Sequence, residues 1–99
     1  MEVEIKKENG KMTVIPHGRI DSITSDDFDN KVKEKLTSDI KEIVIDMCNV
    51  DFISSKGIRI FLGLSHVAQI KGNLSLININ NSVREVLKLS DLLKVFNVQ

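Results

Sequence analysis

The most constraining feature of the chain is a junction between two apolar elements. Ile43-Val44-Ile45-Asp46-Met47 is a short β-branched run that reads as a buried strand, and residues 58–70 are long and apolar enough to read as a helix. Val50-Asp51-Phe52-Ile53-Ser54-Ser55-Lys56-Gly57 joins them. Ser54 and Ser55 therefore fall where the helix should begin. A serine there can cap the open backbone N–H groups, and a phosphate on it would meet the positive end of the helix dipole. A plain N-cap and a regulatory hydroxyl are both open at this point.

The flanking sequence supplies a sheet for that helix. Glu2-Val3-Glu4-Ile5-Lys6 alternates as a half-buried strand does, and Asn9-Gly10 marks a hairpin into Met12-Thr13-Val14-Ile15. Pro16 should end that second strand at a bulge or an edge, because it has no N–H for a ladder. Thr24, then Asp26 and Asp27, then Phe28, Val32 and Leu36 at four-residue spacing, predict a helix with acids at its start and Lys31, Lys33 and Lys35 further on. Glu42 to Met47 is the third strand; Lys71-Gly72 stops the serine helix, and residues 74–79 form a fourth strand. Asn80-Asn81-Ser82 offers a cap for a last helix carrying Val83, Val86, Leu87 and Leu89, followed by an apolar tail of Leu92, Leu93, Val95 and Phe96 that must be buried. Because strands alternate with helices after the hairpin, the later strands should be parallel and joined by right-handed crossovers. The expectation is an α/β single domain over residues 1–99: a mixed four- to five-stranded sheet with helices mainly on one face.

Composition narrows the function. Fourteen basic and fourteen acidic residues cancel, so no overall field draws in nucleic acid or an anionic membrane. The stretch 58–70 is interrupted by Arg59, His66 and Gln69 and is too short to span a bilayer, and Met1-Glu2-Val3-Glu4 does not resemble a signal peptide. The expected location is the cytoplasm. A lone Cys48 cannot form an internal disulfide and has no metal-ligand spacing around it, so it reads as a small core or near-core residue. Asp21, Asp46 and Asp51 lie nearest the strand ends, but a Ser-His-Asp site would need His17 or His66 to arrive from a distance. Gly57 alone is not a phosphate-binding loop. The chain should therefore be a substrate of other enzymes rather than an enzyme, without cofactor or metal.

The serine helix carries apolar residues on two sides. At 100° per residue Ile58, Phe61, Leu62, Ser65 and Ala68 share one face, while Ile60 and Val67 point nearly opposite, with Gly63 and Ile70 beside them. Ile60 and Val67 either pack on a neighbouring helix or stand singly exposed, or they form a protein-docking surface with the serine loop.

The run Asp51-Phe52-Ile53-Ser54-Ser55-Lys56-Gly57-Ile58, with Gly18-Arg19-Ile20-Asp21 upstream and Leu74-Ser75-Leu76-Ile77-Asn78-Ile79 downstream, resembles the STAS domain of bacterial anti-sigma factor antagonists over nearly the whole chain. The resemblance places Ser55, two residues before Gly57, on the family's phosphorylated position, with Ser54 as an alternative acceptor. Ser54 stands where an acidic residue is frequent, and Lys56 where a small one is usual. What the resemblance implies is a switch. The unmodified antagonist binds an anti-sigma factor that is also a serine kinase, and so releases the sigma factor; phosphorylation ends the binding and a PPM-type serine phosphatase restores it. Asp21 and Asp46 match positions near the kinase-facing surface, although a turn-forming role for Asp21 and a strand-end cap for Asp46 are equally open. The expected partner-binding set is Asp21, Ser54, Lys56, Gly57, Ile60 and Val67, on a protein that is monomeric in isolation. The alternative is a stand-alone STAS scaffold, or a subunit of another signalling complex, without a working serine switch.

Overall fold

In the computed structural model, which describes residues 1–67, 74–90 and 96–99, the hairpin forms at the expected place. Asn9 and Gly10 both take positive φ, 51° and 78°, as a tight two-residue turn between twisted strands demands. The turn joins β1 (Glu2–Glu8) to β2 (Lys11–Ile20) in antiparallel register, with Glu8 opposite Lys11. The Gly10 carbonyl then accepts hydrogen bonds from the N–H groups of Lys41 (2.7 Å) and Glu42 (3.2 Å). These bonds bring β3 (Glu42–Asp46) alongside β2 in parallel.

β2 does not end at Pro16. It runs on to Ile20 with Pro16 buried opposite Val3, and changes its parallel partner on the way. Residues 11–14 pair with β3, whereas Gly18, Arg19 and Ile20 pair with β4 (Val50–Ile53), with a register shift between Gly18 and Arg19. Pro16 lies in the interval between the two, where neither parallel strand is in register to receive an N–H. Sequence alone makes Val50–Ile53 part of the serine loop; in the structure these residues are a strand because β2 runs on past Pro16 to pair with them.

The remaining elements are α1 (Ser25–Lys35), α2 (Ser55–Val67), β5 (Leu74–Ile77), α3 (Asn81–Leu89) and β6 (Asn97–Val98). The sheet order is β1-β2-β3-β5-β6, with β4 paired to β2 off this path, and all pairings except β1–β2 are parallel. This is the mixed α/β sheet the alternation of elements predicts. Met12, Val14, Ile43, Ile45, Leu74 and Leu76 point from the strands into one core with Phe28 of α1, Phe61 of α2 and Leu87 of α3. The Phe28 and Phe61 rings meet at 5.6 Å and the Phe61 and Phe96 rings at 6.2 Å, so the aromatic end of the tail is buried; Leu92, Leu93 and Val95 lie outside the described residues, as does the Lys71-Gly72 stop.

Asn80 caps α3 as its position suggests. Its Oδ1 accepts the Val83 N–H at 2.8 Å, and its Nδ2 donates to the Val50 carbonyl at 3.0 Å. Cys48 departs from expectation: it is exposed, and Met47 beside it takes the core position. Among the described residues no helix is long and apolar enough to cross a membrane.

Candidate functional site

The start of α2 is built on the ends of β2 and β4. The Ser54 N–H donates to the Ile20 carbonyl at 2.8 Å. Its own carbonyl accepts the Ile58 N–H at 3.0 Å, and its Oγ accepts the Gly57 N–H at 3.2 Å. Ser54 is thus the half-buried N-cap. Ser55 does not stand in the preceding loop but is the first residue of the helix; it is exposed, and among the described residues its hydroxyl makes no hydrogen bond. The two serines, Ser55 the acceptor implied by resemblance and Ser54 its alternative, are therefore unlike in their surroundings.

Gly57 explains how the helix comes so close. It is buried, and a Cβ there would lie 2.7 Å from Ile20 Cγ2 and 2.9 Å from Ile53 Cγ1. Only hydrogen fits between α2 and the two strand ends. Lys56 reaches away from the serine, its Nζ 2.9 Å from Asp26 Oδ2 and 3.4 Å from the Ser22 carbonyl, so it ties the start of α2 to the start of α1. Ile60 is half-buried against the core, and the side chain of Val67 lies outside the described residues.

Asp21 is occupied by the turn that leads into α1. Its Oδ1 accepts the N–H groups of Ile23 (2.9 Å) and Thr24 (3.0 Å), and Thr24 Oγ1 accepts the Asp21 N–H at 3.0 Å. The Thr24 hydroxyl donates to the Arg19 carbonyl, and the Ser25 hydroxyl to that of Asp21. The Thr24 and Ile23 N–H groups, with a smaller contribution from Arg19, hold the Asp21 carboxyl below its usual range against the opposing effect of desolvation. Arg19 stacks on Phe52, its guanidinium carbon 4.7 Å from the ring centroid, and its Nε is 3.8 Å from Asp21 Oδ2. Arg19 and Lys56 thus already face a carboxylate, whereas Arg59, one turn along α2 from Ser55, is exposed.

Asp46 behaves as a strand-end cap. Its Oδ1 accepts the Cys48 N–H at 3.1 Å and the Asn78 amide at 3.0 Å; burial raises its pKa, but these bonds outweigh it and leave the carboxyl below the ordinary value. His17 Nε2 lies 3.8 Å from Glu4 Oε1, and His66 is exposed near the described end of α2. Ser54 Oγ accepts the Gly57 N–H, and among the described residues neither imidazole is hydrogen-bonded to it.

Three features of this surface were missed from sequence. Asp26 looked like an ordinary first-turn acid, and its partner Lys56 is thirty residues away. The Arg19–Phe52 stack needs β4 to be a strand. Ile23, 85 % exposed, sits in the Asp21 turn, and no periodicity singled it out.

With this geometry established, residues 2–99 match the family profile described as the STAS domain. The chain belongs to the STAS domain family. This STAS domain is 26 % identical over 99 residues to BtrV of Bordetella bronchiseptica, named as a candidate anti-sigma factor antagonist; the match covers 99 % of this chain and 85 % of BtrV. In fold it is similar to the crystal structure of an anti-sigma factor antagonist from Mycobacterium paratuberculosis, with TM-score 0.85 at 20 % identity, covering 98 % of this chain and 83 % of that one. It is also similar to the anti-sigma factor antagonist SpoIIAA in its unphosphorylated form, with TM-score 0.81 at 16 % identity, covering 99 % and 88 %. SpoIIAA of Bacillus has also been solved in the phosphorylated form, where the TM-score is 0.71 at 15 % identity, covering 99 % of this chain and 91 % of that one.

Proposed function

We propose that this STAS domain is an anti-sigma factor antagonist of the cytoplasm, switched by phosphorylation of Ser55. The observation that carries the reading is the division of labour between the serines. Ser54 makes the cap, and Ser55 presents a solvent-facing hydroxyl with no structural bond among the described residues, at the first position of α2. A kinase can modify such a group without dismantling the helix. The unmodified protein binds an anti-sigma factor that is also its serine kinase, the phosphorylated one does not, and a PPM-type phosphatase reverses the change.

The local charges support dissociation as the outcome. A phosphate adds about −1.5 to −2 charges at pH 7. Lys56 could reach it only by leaving Asp26, and Arg19 is held between Asp21 and Phe52. Arg59, exposed one turn along α2, is the cation left beside it, and the rest of the added charge falls to a docked partner to oppose or desolvate. At a helix N-terminus the phosphate is compatible with the fold, so binding should change and folding should not.

The test is to incubate the protein with purified serine-kinase anti-sigma factors from the same genome and ATP, then map phosphate by mass spectrometry. Phosphate should appear on Ser55, Ser55→Ala should bind but stay unmodified, and Ser55→Asp should bind much more weakly. If neither serine is modified and Ser55→Asp binds like the wild type, the protein is a scaffold or a subunit of another complex.

A further inference from the structure

We infer that Arg59 binds the phosphate carried by Ser55: once the serine is modified, the two side chains close an ion pair across the first turn of α2, and a guanidinium that the unmodified protein leaves open becomes engaged. The inference rests on the switch reading of Ser55 and adds to it the cation that answers the phosphate.

Ser55 and Arg59 are both exposed and stand four residues apart on α2. On a helix that spacing makes side chains neighbours, with Cβ atoms about 5–6 Å apart. Helical side chains lean toward the N-terminus and cover the turn before their own Cα, so Arg59 belongs over the turn that Ser55 begins. An anion placed before a cation at this spacing is also the favoured order, because it agrees with the helix dipole.

Arg59 makes no hydrogen bond or ion pair among the described residues. Its other neighbours three and four residues away are Lys56, Leu62 and Gly63, and none is acidic. A phosphate on Ser55 would supply the missing anion. The phosphate in turn finds the nearby cations occupied: Lys56 is held by Asp26 at 2.9 Å, and Arg19 lies between Asp21 and the Phe52 ring. At the helix end the Gly57 N–H goes to Ser54 Oγ and the Ile58 N–H to the Ser54 carbonyl, so Ser54 already takes two donors near the start of α2.

A guanidinium fork matches phosphate oxygens and can bind them through two parallel N–H···O bonds. Modification would then change two groups on this face at once, adding an anion and closing a cation. The pair keeps a residual negative charge, since the phosphate's charge of about −1.5 to −2 exceeds the single positive charge of Arg59. A partner that docks on the serine thus meets an open guanidinium before modification and a paired one with excess negative charge after it.

The experiment installs phosphoserine at position 55 of the full chain by genetic encoding, so that no kinase is needed, and follows the phosphorus NMR shift against pH. The second ionisation of a phosphoserine falls at about pH 6. A paired guanidinium favours the dianion, so Arg59→Gln should raise that value by about 0.3 units or more, and Arg59→Lys should recover part of the difference. Lys56→Gln should have the smaller effect, and the unmodified Arg59 variants should melt with the wild type. Equal titrations of wild type and Arg59→Gln, an Arg59→Lys no better than Arg59→Gln, a larger effect from Lys56→Gln, or a marked fall in the melting temperature of unmodified Arg59→Gln would each overturn the pair. The kinase experiment fails separately: a Ser55 that no kinase modifies sinks the switch whatever the titration shows, whereas a Ser55 that is modified but titrates independently of Arg59 sinks the pair alone.

Discussion

The starts of α1 and α2 lie side by side and solve the same problem differently. Each must satisfy open N–H groups. Before α1, Asp21 and Thr24 bond each other's backbone within the preceding turn, leaving α1 without a side-chain cap, while the Thr24 and Ser25 hydroxyls both go to backbone carbonyls, so every polar side chain in that group has a partner. At α2 a single hydroxyl, Ser54, provides the side-chain cap, and the next one is left over. The contrast teaches where a modifiable group can be placed: beside a completed cap, on a residue the fold does not use.

That contrast breaks most severely at Gly57. Gly57→Val drives a branched side chain against Ile20 and Ile53, at distances real Cβ atoms do not adopt, and should lower stability by about 3 kcal/mol as overpacking does. Urea denaturation would show it, and an unaltered midpoint would mean that α2 can lift from the strands without loss. A smaller and sharper test compares the serines. Ser54→Ala removes the cap and should cost about 1 kcal/mol, whereas Ser55→Ala should stay within about 0.5 kcal/mol of wild type. Equal losses in the two denaturation curves would erase the distinction on which the switch rests.

The smallest effect concerns pH. Asp21 has a folded-state pKa below its unfolded value, so it stabilises the fold fully above the unfolded value of 3.8, and that stability disappears as pH falls through the folded value. Asp27, Asp39 and Asp46 are lowered too and share in the acid limb. Asp21→Asn keeps an acceptor oxygen without the charge and should flatten part of that limb below about pH 4 while leaving the Ser54 cap intact. Superimposable acid-unfolding curves would show that the α1 turn does not depend on the carboxylate.

What sequence disclosed was governed by range. Asn9-Gly10, the Asn80 cap and the strand-to-helix junction are local, and turn chemistry with periodicity suffices for them. Val50–Ile53 escaped because four residues abutting a serine cluster resemble a loop until β2 is known to run past Pro16 and offer them an edge. The same non-local geometry decides between the serines: both are plausible caps in one dimension, and only the approach of Gly57 to Ile20 and Ile53 makes Ser54 the cap. Cys48 was misplaced by one position, since Met47 is the residue that turns inward as β3 ends. Lys56 stands out in sequence only as a charge where the family has a small residue, and its partner Asp26 lies on another helix.

The change of partner along β2 has a dynamic consequence. β3 is hydrogen-bonded on both sides, by β2 and β5, whereas β4 is laddered by β2 alone among the described residues. Ile20, Val50 and Ile53 in that ladder are nonetheless buried, and Gly57 packs directly on two of them, so the strand is held by the core beneath it rather than by a second ladder. The serine junction is mounted on that strand. Opening it would expose core, and partner and phosphate thus act on a surface whose support is packing.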